Sequence, residues 1–364
     1  MVRIGVIGAG YWGPNLVRCL RESADCQVVY ICDRDPTKLS QICDRYPDIT
    51  ATTDATEVLR RDRVDAVVIA TPTKTHYRLA KRALDDGLHT FVEKPLATSS
   101  QECLDLINRA ESNGCVLFVG HVFLYSAAVA KLKEIVSKGE LGDIYYISAT
   151  RLNLGPVRHD VNALWDLAPH DLSIILELMG RSPVSVSCSG LAYLDPSIHD
   201  VCNLTMRFAD NRIGIVHVSW LDPHKRRMMT VVGSRKMAVY DDIEPLEKIR
   251  IYDNGVQAAP GASSFGEFLY SYRYGDIHSP RIEEVEPLKA EIHSFVDAVV
   301  YGTRPKTDGW NGLRVVEVIE AADRSLRDSG GHVRIEHLMP SRRFVEPAEN
   351  GAQRKPAATT AGER

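Results

Sequence analysis

Over the first third of the chain, short apolar runs alternate with stretches in which apolar residues recur every three or four positions. Ile4, Val6 and Ile7, then Val28–Cys32, Val64–Ala70, His89–Val92 and Cys115–Gly120, read as buried strands. Asn15–Glu22, Pro36–Arg45, His76–Asp86 and Gln101–Asn113, lying between them, carry a helical period. Strands apolar on both faces, separated by amphipathic helices, predict a parallel sheet covered on both sides. From about Asp143 the texture changes. Ile144–Leu154, Val184–Leu194, Cys202–Phe208, Ile213–Trp220, Met228–Val232, Met237–Tyr240 and Lys248–Tyr252 read as longer strands, with hairpin connections at Ala209–Arg212 and Gly233–Lys236. One helix, Asp171–Met179, interrupts them, and Gln257–Ser264 reads as a loop. Two amphipathic helices, Pro287–Val300 and Gly312–Arg327, close the ordered part, and the polar chain beyond about Pro340 is expected to be a disordered tail. The pattern therefore predicts an α/β domain over residues 1–122, an α+β domain with a mostly antiparallel sheet over 123–338, and a tail over 339–364.

The first strand runs into Gly8-Ala9-Gly10-Tyr11-Trp12-Gly13, a G-x-G-x-x-G turn. Its glycines allow a sharp strand-to-helix turn, close approach of a pyrophosphate, and tight helix–strand packing. Pro14 suits the first turn of the helix that follows, and the free N–H groups there favour phosphate. The second apolar run ends at Asp33, about 20 residues on, where an acid meets the adenosine ribose hydroxyls. Asp33 favours NAD, because a carboxylate repels a 2′-phosphate; Arg34 beside it keeps NADP open. A solvated turn at Asp33–Pro36 is the plainer reading. Ligands of such sheets lie beyond the carboxyl ends of the strands, which gathers Thr71, Pro72, Thr73, Glu93, Lys94 and His121 with the glycine turn, Tyr11 and Trp12.

Composition narrows the partners. The 364 residues carry a net charge of −4 with 44% hydrophobic positions, which suggests two soluble domains and gives no electrostatic reason for nucleic acid or membrane binding. No apolar run is long enough for a membrane span, and the N-terminus lacks a signal pattern, so a cytoplasmic protein is expected. The eight cysteines are scattered without a C-x-x-C pair and read as reduced packing residues; no metal site is expected.

Two patches carry chemistry. In Val92-Glu93-Lys94-Pro95-Leu96, a strand-end lysine suits stabilising a developing alkoxide, and the bond to Pro95 is one that can be cis. In Trp165-Asp166-Leu167-Ala168-Pro169-His170-Asp171, Asp166 and His170 share a face if the backbone is helical. Proline is tolerated in a helix's first turn, so the helix can instead start late with Asp166 ahead of it. Either arrangement sets a carboxylate beside an imidazole and raises its basicity. The plainer alternatives are a solvated Lys94 and a helix capped by Asp166 or Asp171.

An N-terminal glycine fingerprint, Glu93-Lys94-Pro95 and Asp166-x-x-x-His170 together resemble the glucose–fructose oxidoreductase/inositol dehydrogenase (Gfo/Idh/MocA) family, with His76 and Arg304–Gly309 extending the match to about Leu338. The resemblance implies a Rossmann domain followed by an open-faced sheet that associates into homodimers or homotetramers. It also implies an NAD-dependent dehydrogenase with Lys94, Asp166 and His170 as catalytic trio, and His76 near the cofactor. Asn162–Trp165 and Ser173 depart from the family's usual glycines and aspartate. Arg151–Arg158 followed by Leu164–Asp166 looks like the subgroup that oxidises C3 of a UDP-sugar in amino-sugar synthesis. The expected substrate set is then Lys94, Tyr125, Arg151, Asn153, Arg158, Trp165, Asp166, His170 and Arg273, with Tyr272 and Tyr274 as companion rings. For Arg151 and Arg158 a solvated sheet edge, and for Tyr272–Tyr274 loop packing, are the plainer readings. Trp220, Lys225, Arg226 and Arg227 form a basic aromatic cluster, which an exposed strand end facing a subunit partner explains as well. The rival functions are a free-polyol dehydrogenase and a non-catalytic NAD sensor.

Overall fold

The structure, a computed structural model, describes residues 1–258 and 270–338. Its first sheet has six strands, β1 (Val2–Ile7), β2 (Cys26–Cys32), β3 (Thr50–Thr52), β4 (Ala66–Ile69), β5 (His89–Glu93) and β6 (Leu117–Gly120), in the order β3-β2-β1-β4-β5-β6. All neighbours are parallel. Helices α1 (Gly13–Arg21), α2 (Pro36–Arg45), α3 (Ala55–Val58), α4 (His76–Asp85) and α5 (Ser100–Ser112) connect them. Every residue of β4 is buried, as a strand covered on both faces requires. The strand order reverses between β1 and β4, and a dinucleotide crosses such a sheet there. This is a Rossmann sheet. The short β3 and α3 have no counterpart in the sequence reading; three and four residues are too few to show a period.

The second half holds α6 (Ala127–Ser137), β7 (Ile144–Leu152), α7 (Ala163–Met179), β8 (Ser185–Leu191), β9 (Val201–Arg207), β10 (Ile213–Ser219), β11 (Arg226–Gly233), β12 (Met237–Asp241), β13 (Ile249–Ala258), β14 (Tyr270–His278), α8 (Pro287–Tyr301), α9 (Gly309–Arg327) and β15 (Val333–Arg334). Nine strands form one mixed sheet, β14-β13-β12-β11-β7-β10-β9-β8-β15. The β7–β10 pair is parallel and the others are antiparallel. Both expected hairpin connections join antiparallel neighbours, β9 to β10 and β11 to β12.

Three expectations are corrected. Helix α7 begins at Ala163, not Asp171, and Asn162, not an aspartate, caps it by accepting from Trp165 N at 3.0 Å. Pro169 therefore sits inside the helix. The Tyr272–Asp276 stretch is strand β14, paired with β13. Gln257 and Ala258 end β13; the rest of the expected loop and the expected tail fall outside the described residues.

The last helices tie the halves together. On α8, Ile292, Phe295 and Val296 pack on the first sheet, Phe295 standing 5.6 Å edge-on to Phe91 and 5.6 Å from Phe118. On α9, Trp310, Leu313 and Val316 join the core around β5 and β6, while Val315, Val318 and Ile319 join that of α7 and the second sheet.

Candidate active site

The glycine turn opens a groove of about 720 Å³ lined by Gly8, Gly10, Asp33, Arg34, Thr71 and Pro72. Gly8 has φ +109°, and a Cβ there would lie 2.4 Å from the Ala70 carbonyl oxygen, so this turn accepts glycine alone. Asp33 directly follows β2, and its carboxylate accepts from Ala9 N at 2.7 Å and Asp35 N at 2.9 Å, which fixes it beside the turn. Helix α1 starts at Gly13 behind this turn, and Tyr11 is exposed above it, edge-on to Trp12. These residues fit a dinucleotide: a glycine cradle at a helix start, with an anchored acid at the ribose position.

Other strand-end residues have different tasks. Thr71 Oγ1 contacts Thr75 Oγ1 at 2.7 Å, and Thr73 is buried. His76, expected near the cofactor, braces the backbone: its Nδ1 lies 2.9 Å from the Pro95 carbonyl and its Nε2 2.8 Å from the carbonyl of the groove-lining Thr71. It ties the backbone after β4 to that after β5, and burial holds the ring below its usual pKa. The Lys94–Pro95 bond is cis.

From the end of β5 the Lys94 side chain crosses to α7. Its Nζ donates to the Asp166 carbonyl at 2.8 Å and lies 3.8 Å from Asp166 Oδ1. Pro169 has no N–H for the carbonyl of Trp165 and crowds that turn, and Lys94 docks on the next carbonyl along. Asp166 has further partners: Oδ1 accepts from Arg158 Nη1 at 3.2 Å and Oδ2 from Trp220 Nε1 at 3.1 Å. Burial lowers the pKa of Lys94, while Asp166 and Glu93 work to keep it charged.

His170 lies on the next turn of α7. Asp166 was expected to orient it, but the carboxylate is taken up by Lys94, Arg158 and Trp220, and His170 Nδ1 is buried with no hydrogen-bond partner among the described residues. Packing orients the ring instead, edge-on to Phe123 at 5.0 Å. Burial, reinforced by Lys94 and Arg151, pushes its pKa well below 6.5, so the imidazole is neutral at physiological pH. His121, directly after β6, is likewise buried, with its pKa pushed down to about 3 by burial and then by Lys94.

Three of the expected substrate contacts are re-placed. Arg151 is neither free for a phosphate nor on a solvated edge: it is buried, paired to Asp171 through Nε at 2.7 Å and Nη2 at 2.9 Å, and stacked over Phe123. Tyr125 is turned away into the α8 interface, its hydroxyl 3.0 Å from Thr307 Oγ1 and 3.4 Å from Ser294 Oγ. Arg273 pairs with Asp253 at 2.8 Å and donates to the Arg235 carbonyl. Through the β11–β14 register this is the end of the sheet away from Leu152 and Trp220, so Arg273 does not join Lys94 within one chain. Arg158 bridges Asp160 and Asp166 at the site. Asn153 is half-buried, its N–H on the Ser219 carbonyl beside Trp220. Trp165 lines a neighbouring cleft of about 380 Å³ with Lys74, Thr98, His159 and Asp160. Trp220 is no exposed strand end; it is buried and holds Asp166. Phe123 and Trp220 were missed as site residues because each reaches the site across the fold, where sequence spacing carries no signal.

Residues 2–121 match the family described as "Oxidoreductase family, NAD-binding Rossmann fold", and residues 129–239 its GFO/IDH/MocA C-terminal domain. The chain is 26% identical to UDP-N-acetylglucosamine 3-dehydrogenase from Acidithiobacillus ferrooxidans, over 86% of this chain and 94% of that protein. It is 24% identical to inositol 2-dehydrogenase from Rhizobium meliloti, over 90% and 97% of the two chains. The solved structure of GenD2 from gentamicin A biosynthesis, in complex with NAD, has a fold matching this one at a TM-score of 0.78 and 24% identity, covering 92% of this chain and 97% of that one. The chain is an oxidoreductase of the Gfo/Idh/MocA family.

Proposed function

We propose that this protein uses NAD to oxidise a ring hydroxyl of a sugar, and that a nucleotide-activated sugar oxidised at C3 is its substrate. The observation that carries the reading is the meeting of Lys94, Asp166 and His170 where the carboxyl ends of β5 and β6 face α7. When bound, the nicotinamide supplies a hydride acceptor. His170, held neutral by burial, takes the hydroxyl proton as general base. Lys94 donates to the same oxygen and stabilises the charge that builds there. Asp166 keeps the Lys94 ammonium charged and fixed, a role the geometry favours over steering the imidazole. Residues 1–122 would seat the cofactor, with NAD preferred over NADP because Asp33 occupies the ribose position, and residues 123–338 would supply the substrate side. Trp165 would meet the sugar from the neighbouring cleft, and Arg158 reaches the same place through its bond to Asp166.

The nucleotide-sugar assignment rests on the extended likeness to the UDP-N-acetylglucosamine enzyme. A free polyol is the second reading, favoured by one feature: Arg151, Arg158 and Arg273, the cations expected at a diphosphate, each pair with a carboxylate. Titration of NAD-loaded protein with UDP-glucose, UDP-N-acetylglucosamine and inositol separates the two. Lys94→Ala and His170→Ala are each expected to lower turnover at least about a hundredfold while circular dichroism stays native. Near-normal turnover in both would remove the mechanism.

The protein is further proposed to act in the cytoplasm as a homodimer or homotetramer joined through the second sheet. The helices α6, α7 and α9 cover one face of that sheet, and residues of the other face remain partly or fully exposed.

A further inference from the structure

The second sheet turns one of its ends toward the site. Leu152, ending β7, pairs with Ser219 at the end of β10 and with Arg226 at the start of β11, so Trp220 and Arg227 stand at the same end. Trp220 reaches Asp166 from there. Lys225 and Arg226 are exposed, but Arg227 is half-buried, directly opposite Arg151 in the β11–β7 register. Met229 and Val231, which share its side of β11, are buried, as are Ile147 and Ala149 on the side of β7 that carries Arg151. Arg227 therefore points to the helix-covered face of the sheet, the face that meets α7. Arg151 in turn lies over the Phe123 ring at 4.6 Å, and that ring meets His170 at 5.0 Å. Arg227 is thus one strand away from a side chain that shares an aromatic ring with His170.

Its guanidinium is less committed than those of its neighbours. Arg151 and Arg158 each give their Nε–Nη2 edge to a carboxylate, Asp171 at 2.7 and 2.9 Å and Asp160 at 2.9 and 2.7 Å. A planar fork of this kind takes two oxygens of a carboxylate or phosphate side by side. On Arg227 the Nε is buried with no partner among the described residues, and the guanidinium is held only from Nη1, which donates to Asp242 Oδ2 at 3.4 Å. Asp242 is itself shared, because its Oδ1 accepts from the Tyr240 hydroxyl at 2.9 Å. A buried N–H of a charged group costs free energy until an acceptor reaches it. The local field has the matching sign: after burial, Lys94, Arg151 and Arg227 are among the groups that hold His170 unprotonated, so negative charge is favoured in front of it.

We propose that Arg227 receives an oxyanion of the substrate, a phosphate or a ring carboxylate, on its Nε–Nη2 edge, and so selects an acidic sugar over a neutral one. The Asp242 contact is long and the Arg227 side chain is 35% exposed, so a small swing off Asp242 presents the edge to the ligand. Arg227 then supplies the cation that Arg151, Arg158 and Arg273 do not, since each of those is held by its own carboxylate. The inference rests on the reading of Lys94 and His170 as the groups that oxidise a sugar hydroxyl.

The test is calorimetric titration of the full chain, loaded with NADH so that no hydride moves, with UDP-glucose, glucuronate and glucose. The wild type is expected to bind at least one of the two acidic ligands about tenfold or more tighter than glucose. Arg227→Met is expected to narrow that gap by about tenfold, and Arg227→Lys, which keeps the charge without the fork, to narrow it less. Asp242→Asn removes the competing charge while still accepting from Tyr240, and is expected to widen it. A loss on UDP-glucose alone assigns the edge to the diphosphate; a loss on glucuronate alone assigns it to a carboxylate on the ring. A wild type without preference for either acid, a gap unchanged in Arg227→Met, or an equal loss for glucose overturns the inference and leaves the dehydrogenase reading standing. A wild type that neither binds nor oxidises any of the three removes that reading, and the role of Arg227 with it.

Discussion

Buried imidazoles make this site costly to acidify. His76, His121 and His170 all have pKa values lowered mainly by loss of solvent, and the carbonyls around His76 only partly offset this. In the unfolded chain each takes a proton near 6.5, whereas folded His121 resists protonation down to about 3. The unfolded state therefore binds more protons between those values, and stability is full above 6.5 and lost as the pH falls through that window. One such group contributes a slope of about 1.4 kcal/mol per pH unit. His121→Gln is expected to remove one group's share of the slope of unfolding free energy between pH 4.5 and 6, measured by urea melts. An unchanged slope would mean that His121 is already protonated or solvated in the native protein. The same desolvation leaves His170 unprotonated throughout the physiological range, the form in which a general base has to start.

Helix α7 carries three of the groups that matter, and its attachment to β7 is the buried Arg151–Asp171 pair, whose side chains are 4% and 6% exposed. Removing one partner strands the other without solvent. Arg151→Met is expected to cost about 3–5 kcal/mol, and Arg151→Met with Asp171→Leu to recover most of it. A substrate-binding arginine would instead raise KM with little change in melting temperature, so the double variant's stability and KM together decide what Arg151 is for. The same helix shows where sequence stops informing. Apart from the short β3 and α3, the strands and helices up to β6 were legible because parallel strands buried on both faces leave plain apolar runs, and the glycine turn with Asp33 has a fixed spacing. Pro169 misled the reading of α7, since a proline normally marks a first turn; here the Asn162 cap and a mostly buried helix outweigh one lost hydrogen bond. Lys94, Asp166 and His170 stood out as chemical types, but Trp220 meets Asp166 and Phe123 meets His170 through pairings more than forty residues apart, which no period encodes.

At the scale of the molecule, the second sheet has one face to account for. Ile147, Ala149, Val216 and Val218 are buried toward the helices, while Ser148 and Thr150 on β7, Ile215 and His217 on β10, and Met228 and Thr230 on β11 alternate with such residues and stay accessible. Period-two alternation of this kind leaves a flat, mixed polar and apolar surface without forcing a partner onto it. A stable interface buries about 800 Å² on each partner, and a sheet of nine strands has that area to offer. Ser148 is its midpoint, flanked in register by Ile215 on one side and Thr230 on the other. Ile215→Asp with Thr230→Asp places carboxylates on both flanks of that midpoint, and a two-fold pairing would bring them against their own copies. Light scattering is expected to give a multiple of the chain mass for the wild type and a single chain for the double variant, with NAD binding retained because the groove lies on the other sheet. A wild type that runs as a single chain at micromolar concentration would rule out this association, and the accessible face would then have to be explained as an ordinary solvated sheet.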